Sequence, residues 1–207
     1  MNETSKALIR RIQDAKFATS YFVGYGIDIG AGPDPLSKYT QQFPLMTDLK
    51  IWDIPDGDAQ KMASETDDKY DFIHSSHCLE HLHNPYEAFE NWIRICKPGG
   101  HIITTIPDED LYEQGVWPSN HNTDHKTSWT ILKGESWSPA SINLIEFLYK
   151  FRNKIEVLKA ELINGTFVYD IHRFDQTYYS ISECAIEFIV RKRPIEELAR
   201  KGRLPSL

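Results

Sequence analysis

Apolar positions along this chain change their period several times, and each change marks an element. Leu8, Ile9, Ile12 and Ala15 fall at helical spacing within residues 4–20, which predicts a leading amphipathic helix inside residues 1–21. "GYGIDIG" predicts a buried strand, "FPLMTDLKIWDI" a second strand region and "YDFIHSS" a short third. In "NPYEAFENWIRICKPGG", Asn84 can cap a helix, Pro85 suits its first position, and Gly99 and Gly100 end it. Phe89, Trp92, Ile93 and Cys96 then share one apolar face. "HIITTIP" predicts a β-branched strand, "SPASINLIEFLYKF" another helix and "CAIEFIVRKRP" a closing strand. Such alternation predicts a mainly parallel α/β sheet covered on both faces.

Residues 108–138 interrupt the rhythm. They are polar, lack a sustained period and contain Trp117, Trp129 and Trp137. A connection this long is usually a binding loop or disordered, and its aromatic residues favour binding.

Composition narrows the class. A chain of 207 residues, 41% hydrophobic and 26% charged, is expected to be one globular domain. No apolar run approaches the roughly 20 residues of a membrane span. The segment "MNETSKALIRRIQDAK" lacks the apolar core of a secretory signal, so a cytoplasmic location is expected. Cys78, Cys96 and Cys184 lack C-x-x-C spacing, which argues against disulfides and a cysteine zinc site. A net charge of −7 argues against nucleic acid as a partner. The basic stretch "RKRPIEELARKGR" reads as a solvated terminal helix.

The chemistry gathers at "YGIDIGAGPDP". Gly30 and Gly32 suit a sharp turn that a ligand approaches closely. A dinucleotide fold would carry G-x-G-x-x-G here, with pyrophosphate at a helix N-terminus. Asp34 instead supplies a carboxylate, which at about 4 Å would cost a phosphate on the order of 1 to 4 kcal/mol. S-adenosylmethionine has no phosphate and escapes that penalty.

"GIDIGAGPDP" resembles the first motif of the class I S-adenosylmethionine-dependent methyltransferases, within their small-molecule, methyltransferase-11/type-12-like group. Further matches follow in order: Asp48 in "LMTD", Asp58 in "GDAQKM", "YDFIHSSHCLEHL" and "KPGGHIITTIP". The resemblance implies a Rossmann-like, mainly parallel seven-stranded sheet with helices on both faces, and S-adenosylmethionine as cofactor with S-adenosylhomocysteine as product. It implies cofactor contacts from Asp28, Gly30, Gly32, Asp48, Asp58, Ala59 and Ser75, with Asp48 on the ribose and Asp58 on the adenine amino group. Two positions depart from the pattern. Asp34 replaces the third glycine, and only ten positions separate Asp48 from Asp58, which leaves Asp53 and Asp56 as rivals for the ribose.

Methyl transfer to a hydroxyl needs alignment and a base, most often histidine. "IHSSHCLEHLH" and "NHNTDHK" offer His77 and His125 first, then His81 and His121, while His74 reads as a core residue. The set His77, Glu80, His81 also resembles the E-x-x-E-H cluster of metal-assisted methyltransferases that modify RNA 3′ ends, with His77 in place of the first glutamate. No metal is assigned, and the histidines are read as bases. Trp117, Trp129 and Trp137 either cover an acceptor or anchor the loop.

The sequence reading is therefore a methyltransferase, monomeric or homodimeric, in which residues 108–152 form an acceptor-binding loop and helix insertion. The expected reaction is O-methylation of a small polar acceptor, such as a sugar, a nucleotide sugar or a surface-polysaccharide precursor. The alternatives are a non-catalytic methyltransferase-like binding protein and an NAD-dependent oxidoreductase.

Overall fold

Side chains alternate across the central strands and fill two separate cores. Ile73, Ile102 and Phe188 enter one core, and their chain neighbours Phe72, Ile103 and Ile189 enter the other. A computed structural model describes residues 3–204. Its strands are β1 (Gly24–Ile29), β2 (Met46–Trp52), β3 (Tyr70–Ser76), β4 (Cys96–Pro107), β5 (Ser128–Thr130), β6 (Ser141–Asn143), β7 (Ile155–Ile163) and β8 (Ala185–Lys192). Six of them form one sheet in the order β2-β1-β3-β4-β8-β7, and β5 pairs with β6 apart from it. β1 to β4 run parallel, whereas β8 is antiparallel to both of its neighbours.

The sheet has six strands where seven were expected. Residues 53–69 join β2 to β3 without a strand, because "DIPDGDAQKMASETDDK" holds no alternating apolar run. β7 was not legible in the sequence. A bulge between Val157 and Lys159 breaks its two-residue period.

Helix α1 (Glu3–Arg11) stops short of the expected residue 20, and a wide helical turn follows at Phe17–Tyr21. Its buried face is also rotated from the prediction, and of the predicted stripe only Leu8 packs against the core. Ile9 and Ile12 are exposed, while Thr4, Ala7 and Arg11 are buried. Arg11 causes this by reaching Glu187 (2.9 Å), Thr105 Oγ1 (3.1 Å) and His74 Nε2 (2.9 Å) on the central strands β8, β4 and β3. The start of the expected 1–21 segment, Met1 and Asn2, lies outside the described residues.

Helix α2 (Pro85–Ile95) has the predicted cap, with Asn84 accepting the Glu87 N–H at 3.2 Å. Cys96 opens β4 rather than closing the helix, and Gly99 and Gly100 lie within that strand. A Cβ at Gly100 would stand 2.6 Å from the Asp71 carbonyl oxygen, so glycine is needed for packing. Helix α3 (Leu144–Lys150) begins after β6, later than the expected start, and α4 (Ile195–Arg200) is the helix read from the basic tail. All three cysteines are free and buried. Among the described residues no helix is long and apolar enough to cross a membrane.

Candidate active site at the glycine turn

β1 delivers the chain into the crevice beyond the carboxyl ends of the parallel strands, where open α/β sheets bind ligands. Gly30 and Gly32 follow with φ of +71° and +54°, in the left-handed region. Their tasks differ. A Cβ on Gly30 would lie 2.5 Å from Cys78 Cβ, whereas a Cβ on Gly32 would meet nothing nearer than an oxygen at 4.0 Å. Gly30 lets two segments close-pack, and Gly32 leaves its outer face open.

Asp34 turns away from that face. Its carboxylate accepts the Ser5 N–H in the first turn of α1 (2.8 Å) and the Tyr39 hydroxyl (2.5 Å). Asp28 is buried below the turn, where it accepts the Leu36 N–H (2.7 Å) and the Nδ1–H of His74 (2.6 Å). It therefore shapes the turn from beneath and does not line the cavity. Ser75 is buried too, and its hydroxyl donates to the Ile29 carbonyl (3.0 Å). His74 is a core residue, as expected, but a hydrogen-bonded one.

A cavity of about 640 Å³ opens beside Gly30, within the roughly 300–1,000 Å³ common for small-molecule sites. Trp52, Asp53, Ile54, Asp58, Ala59 and Leu82 line it. Asp48 does not. It pairs with Tyr25 near the far end of β2 and accepts the Leu49 N–H (2.8 Å), so the expected ribose contact from Asp48 is corrected. Asp53 lines the cavity instead, directly after β2, with Oδ2 accepting the Gly32 N–H (3.0 Å). Asp56 binds the backbone N–H of Asp53 (2.9 Å) and does not line the cavity. Ile54 is 89% exposed, an apolar side chain left uncovered at the rim.

A second hollow of about 170 Å³ shares Gly30, His77 and His81 with the first. His77 has φ of +53°, a conformation tolerated by histidine but costly, and its N–H is held by the Thr105 carbonyl (2.9 Å). Its Nδ1 lies 3.3 Å from Glu80 Oε1, and its buried Nε2 has no hydrogen-bond partner among the described residues. Burial alone would push His77 down, but Glu80, with Glu3 and Glu183, overcomes that and holds it above its ordinary value. Burial would likewise raise Glu80, yet His77, His81 and His125 hold its carboxyl below the usual range.

His81 and His125 meet across this hollow with ring centroids 4.9 Å apart, although 44 positions separate them. His81 Nδ1 bonds Asp124 (2.9 Å), and His125 Nδ1 bonds Glu113 (2.6 Å). His121 does not join them. It faces a neighbouring hollow with Lys6 and Asp175, its ring edge-on to Tyr112. Of the three loop tryptophans, Trp129 is wholly buried against Phe147 as an anchor, and Trp137 bonds Asp110 (2.9 Å) beside a separate pocket. Trp117 lines neither cavity of the crevice.

Residues 5–154 match the family described as "Methyltransferase domain". The chain belongs to the class I S-adenosylmethionine-dependent methyltransferases. S-adenosylmethionine is accordingly its cofactor. No curated protein matches the chain. Among solved structures, it is similar to an S-adenosylmethionine-dependent methyltransferase from Archaeoglobus fulgidus, at 15% identity and a TM-score of 0.55, covering 93% of this chain and 95% of that one. It is also similar to the plantazolicin methyltransferase BpumL in complex with S-adenosylhomocysteine, at 18% identity and a TM-score of 0.55, covering 93% and 84%. The [4+2]-cyclase SpnF is similar at 13% identity and a TM-score of 0.51, covering 91% and 80%. These likenesses are likenesses of fold.

The crevice of this methyltransferase fits such a cofactor. Gly32 leaves room for a ligand against the backbone, and Ile54 offers an uncovered apolar side chain. Among the described residues the wall carries carboxylates without a lysine or arginine for phosphate. Sequence reasoning missed Glu3, Thr4 and Tyr112, which line the second hollow, and Glu113, which orients His125. No local pattern marks them, because α1 and the 108–138 loop bring them in from a distance.

Proposed function

We propose that this methyltransferase acts on a hydroxyl of a small, uncharged polar acceptor, and that a sugar, free or at the end of a nucleotide sugar or surface-polysaccharide precursor, fits best. His77 Nε2 carries the reading: it is a buried nitrogen without a hydrogen-bond partner among the described residues, 3.9 Å from Glu3 Oε2, where the two cavities meet. When bound, S-adenosylmethionine supplies an electrophilic methyl group and departs as a neutral thioether.

The chain does the rest. Asp53 takes the ribose hydroxyls, Asp58 the adenine amino group, and Ile54 and Leu82 offer apolar faces to the purine. Gly30 and Gly32 admit the amino acid end to the backbone. Glu80 faces Nδ1 of His77 and so leaves Nε2 to take the acceptor's proton. Thr4 and Tyr112 complete the lining of the small hollow. Glu3, Asp34 and Glu80 line it with negative charge, and Glu113 and Asp124 stand behind His125 and His81. A phosphate about 4 Å from any one of them would lose on the order of 1 to 4 kcal/mol, so a diphosphate stays outside and only the sugar enters.

Mass spectrometry of sugars, nucleotide sugars and amine-bearing metabolites incubated with cofactor tests this reading. A hydroxyl-bearing product heavier by one methyl group is expected. His77→Asn keeps the left-handed backbone accessible, so it should retain S-adenosylhomocysteine binding while turnover falls by about 10²- to 10⁴-fold. Methylation confined to amines, or full turnover by that variant, would overturn it.

A further inference from the structure

We propose that Glu80, His81 and His125 form a binding site for one divalent transition-metal ion of zinc or ferrous type. One ligand atom from each lies within 4.8 Å of the other two. Zinc bonds of about 2.0–2.1 Å place ligand atoms roughly 3.4 Å apart in a tetrahedron, so the three need only close inward by side-chain rotation. His81 Nε2 already stands 4.0 Å from Glu80 Oε1.

Two further observations point to a cation. The Glu80 side chain is wholly buried, yet neither carboxylate oxygen has a hydrogen-bond partner among the described residues. His77 Nδ1, 3.3 Å from Oε1, is an ion-pair contact without hydrogen-bond geometry, and Oε2 likewise has no donor among the described residues. A buried carboxylate oxygen left without a donor is costly, and an ion in contact with it removes the cost. The histidines are also prepared as ligands. Each gives its Nδ1 to a carboxylate, His81 to Asp124 and His125 to Glu113, which fixes the ring and directs the lone pair of Nε2 elsewhere. Carboxylate–histidine pairs of this kind support metal ligands in general. The Lys126 ammonium is engaged by Asp124 (2.7 Å), and among the described residues no lysine or arginine lines the hollow.

Two imidazoles and one carboxylate favour zinc or iron over magnesium, which prefers oxygen ligands. Three protein ligands leave a coordination position open toward the hollow. The ion also joins the turn after β3 to the 108–138 loop, which His125 and the backbone contacts of Lys126 and Thr127 with the Glu80 carbonyl already connect. An ion here adds positive charge to the hollow and so bears on which acceptor enters, but ion binding itself can be measured with no acceptor present.

The test is titration of chelator-treated full-length protein with Zn²⁺, Co²⁺ and Mg²⁺ by calorimetry, with absorption spectra in the Co²⁺ arm. One Zn²⁺ per chain and an intense visible Co²⁺ band are expected, with Mg²⁺ bound at least about a hundredfold more weakly. His125→Gln should lower Zn²⁺ affinity by about a hundredfold or more and abolish the Co²⁺ band. Asp124→Asn removes only an exposed supporting carboxylate, so the fold is retained while affinity falls about 10- to 100-fold. His121→Gln should leave affinity unchanged. S-adenosylhomocysteine binding measured on the same samples separates this claim from the methyl-transfer reading. Absence of stoichiometric Zn²⁺ binding in protein that still binds S-adenosylhomocysteine would overturn the site, as would Zn²⁺ affinity equal in wild type, His125→Gln and Asp124→Asn.

Discussion

The carboxylate of Asp34 accepts the backbone N–H of Ser5 at 2.8 Å, so an acid inside the glycine turn caps the first helix. The resulting contact holds α1 against the crevice and brings Glu3 and Thr4 to the second hollow. Asp34→Ala should lower stability by about 1–2 kcal/mol in urea unfolding, the usual cost of a lost helix cap. It should also weaken S-adenosylhomocysteine binding. Unchanged stability would mean that α1 is held by its other contacts alone.

Gly30 is the least replaceable position of the turn. Alanine there combines a φ of +71° with a Cβ driven into Cys78, so Gly30→Ala should unfold at lower temperature and lose most cofactor affinity. Adding Cys78→Gly removes both clashing atoms, Cβ and Sγ, but not the backbone strain, which should restore only part of the melting temperature. Complete restoration would show that φ at residue 30 is of no consequence.

Asp53 and Asp48 can be separated by isosteric change. Asp53→Asn keeps an acceptor for the Gly32 N–H yet removes the charge, and should weaken cofactor binding by about 1.5–3 kcal/mol, roughly ten- to a hundredfold. Asp48→Asn should bind as wild type. Calorimetry with S-adenosylhomocysteine reads both, and the reverse order would restore Asp48 to the ribose.

Glu187 is wholly buried among Arg10 (2.6 Å), Arg11 (2.9 Å) and Lys159 (3.0 Å). Burial would raise its carboxyl, but Arg11, Arg10 and Lys159 overcome that and hold it at about 2, down from 4.5. A depressed carboxylate stabilises fully above its unfolded value, and that contribution is lost as pH falls from 4.5 through 2. Glu187→Gln leaves Arg11 buried without its counter-charge and should cost about 3–5 kcal/mol near neutral pH. The variant should also lose part of the acid dependence, as measured by denaturant unfolding at stepped pH.

Much of this arrangement was legible in the sequence because it is local. The run ending at Gly30, the Asn84–Pro85 helix start and the β-branched run before Pro107 each declare themselves within a few residues. What was not legible depends on distant partners. Nothing near Arg11 shows that it lies buried against Glu187, so Ile9 and Ile12 were expected inside and are exposed, while Leu8 alone of the stripe reaches the core. A single bulge at Leu158 hid β7. Asp48 matched a family position by sequence, but β2 runs four residues further, to Trp52, and places Asp53 at the crevice. His77 and His81 were visible as a local cluster, whereas the union of His81 with His125 required the loop to fold back.

The central claim is tested most directly by a crystal structure with S-adenosylhomocysteine. The account predicts its amino acid end along Gly30–Gly32, ribose on Asp53, adenine between Ile54 and Leu82, and sulfur directed toward His77. Ligand found elsewhere, or with its ribose on Asp48, would contradict it.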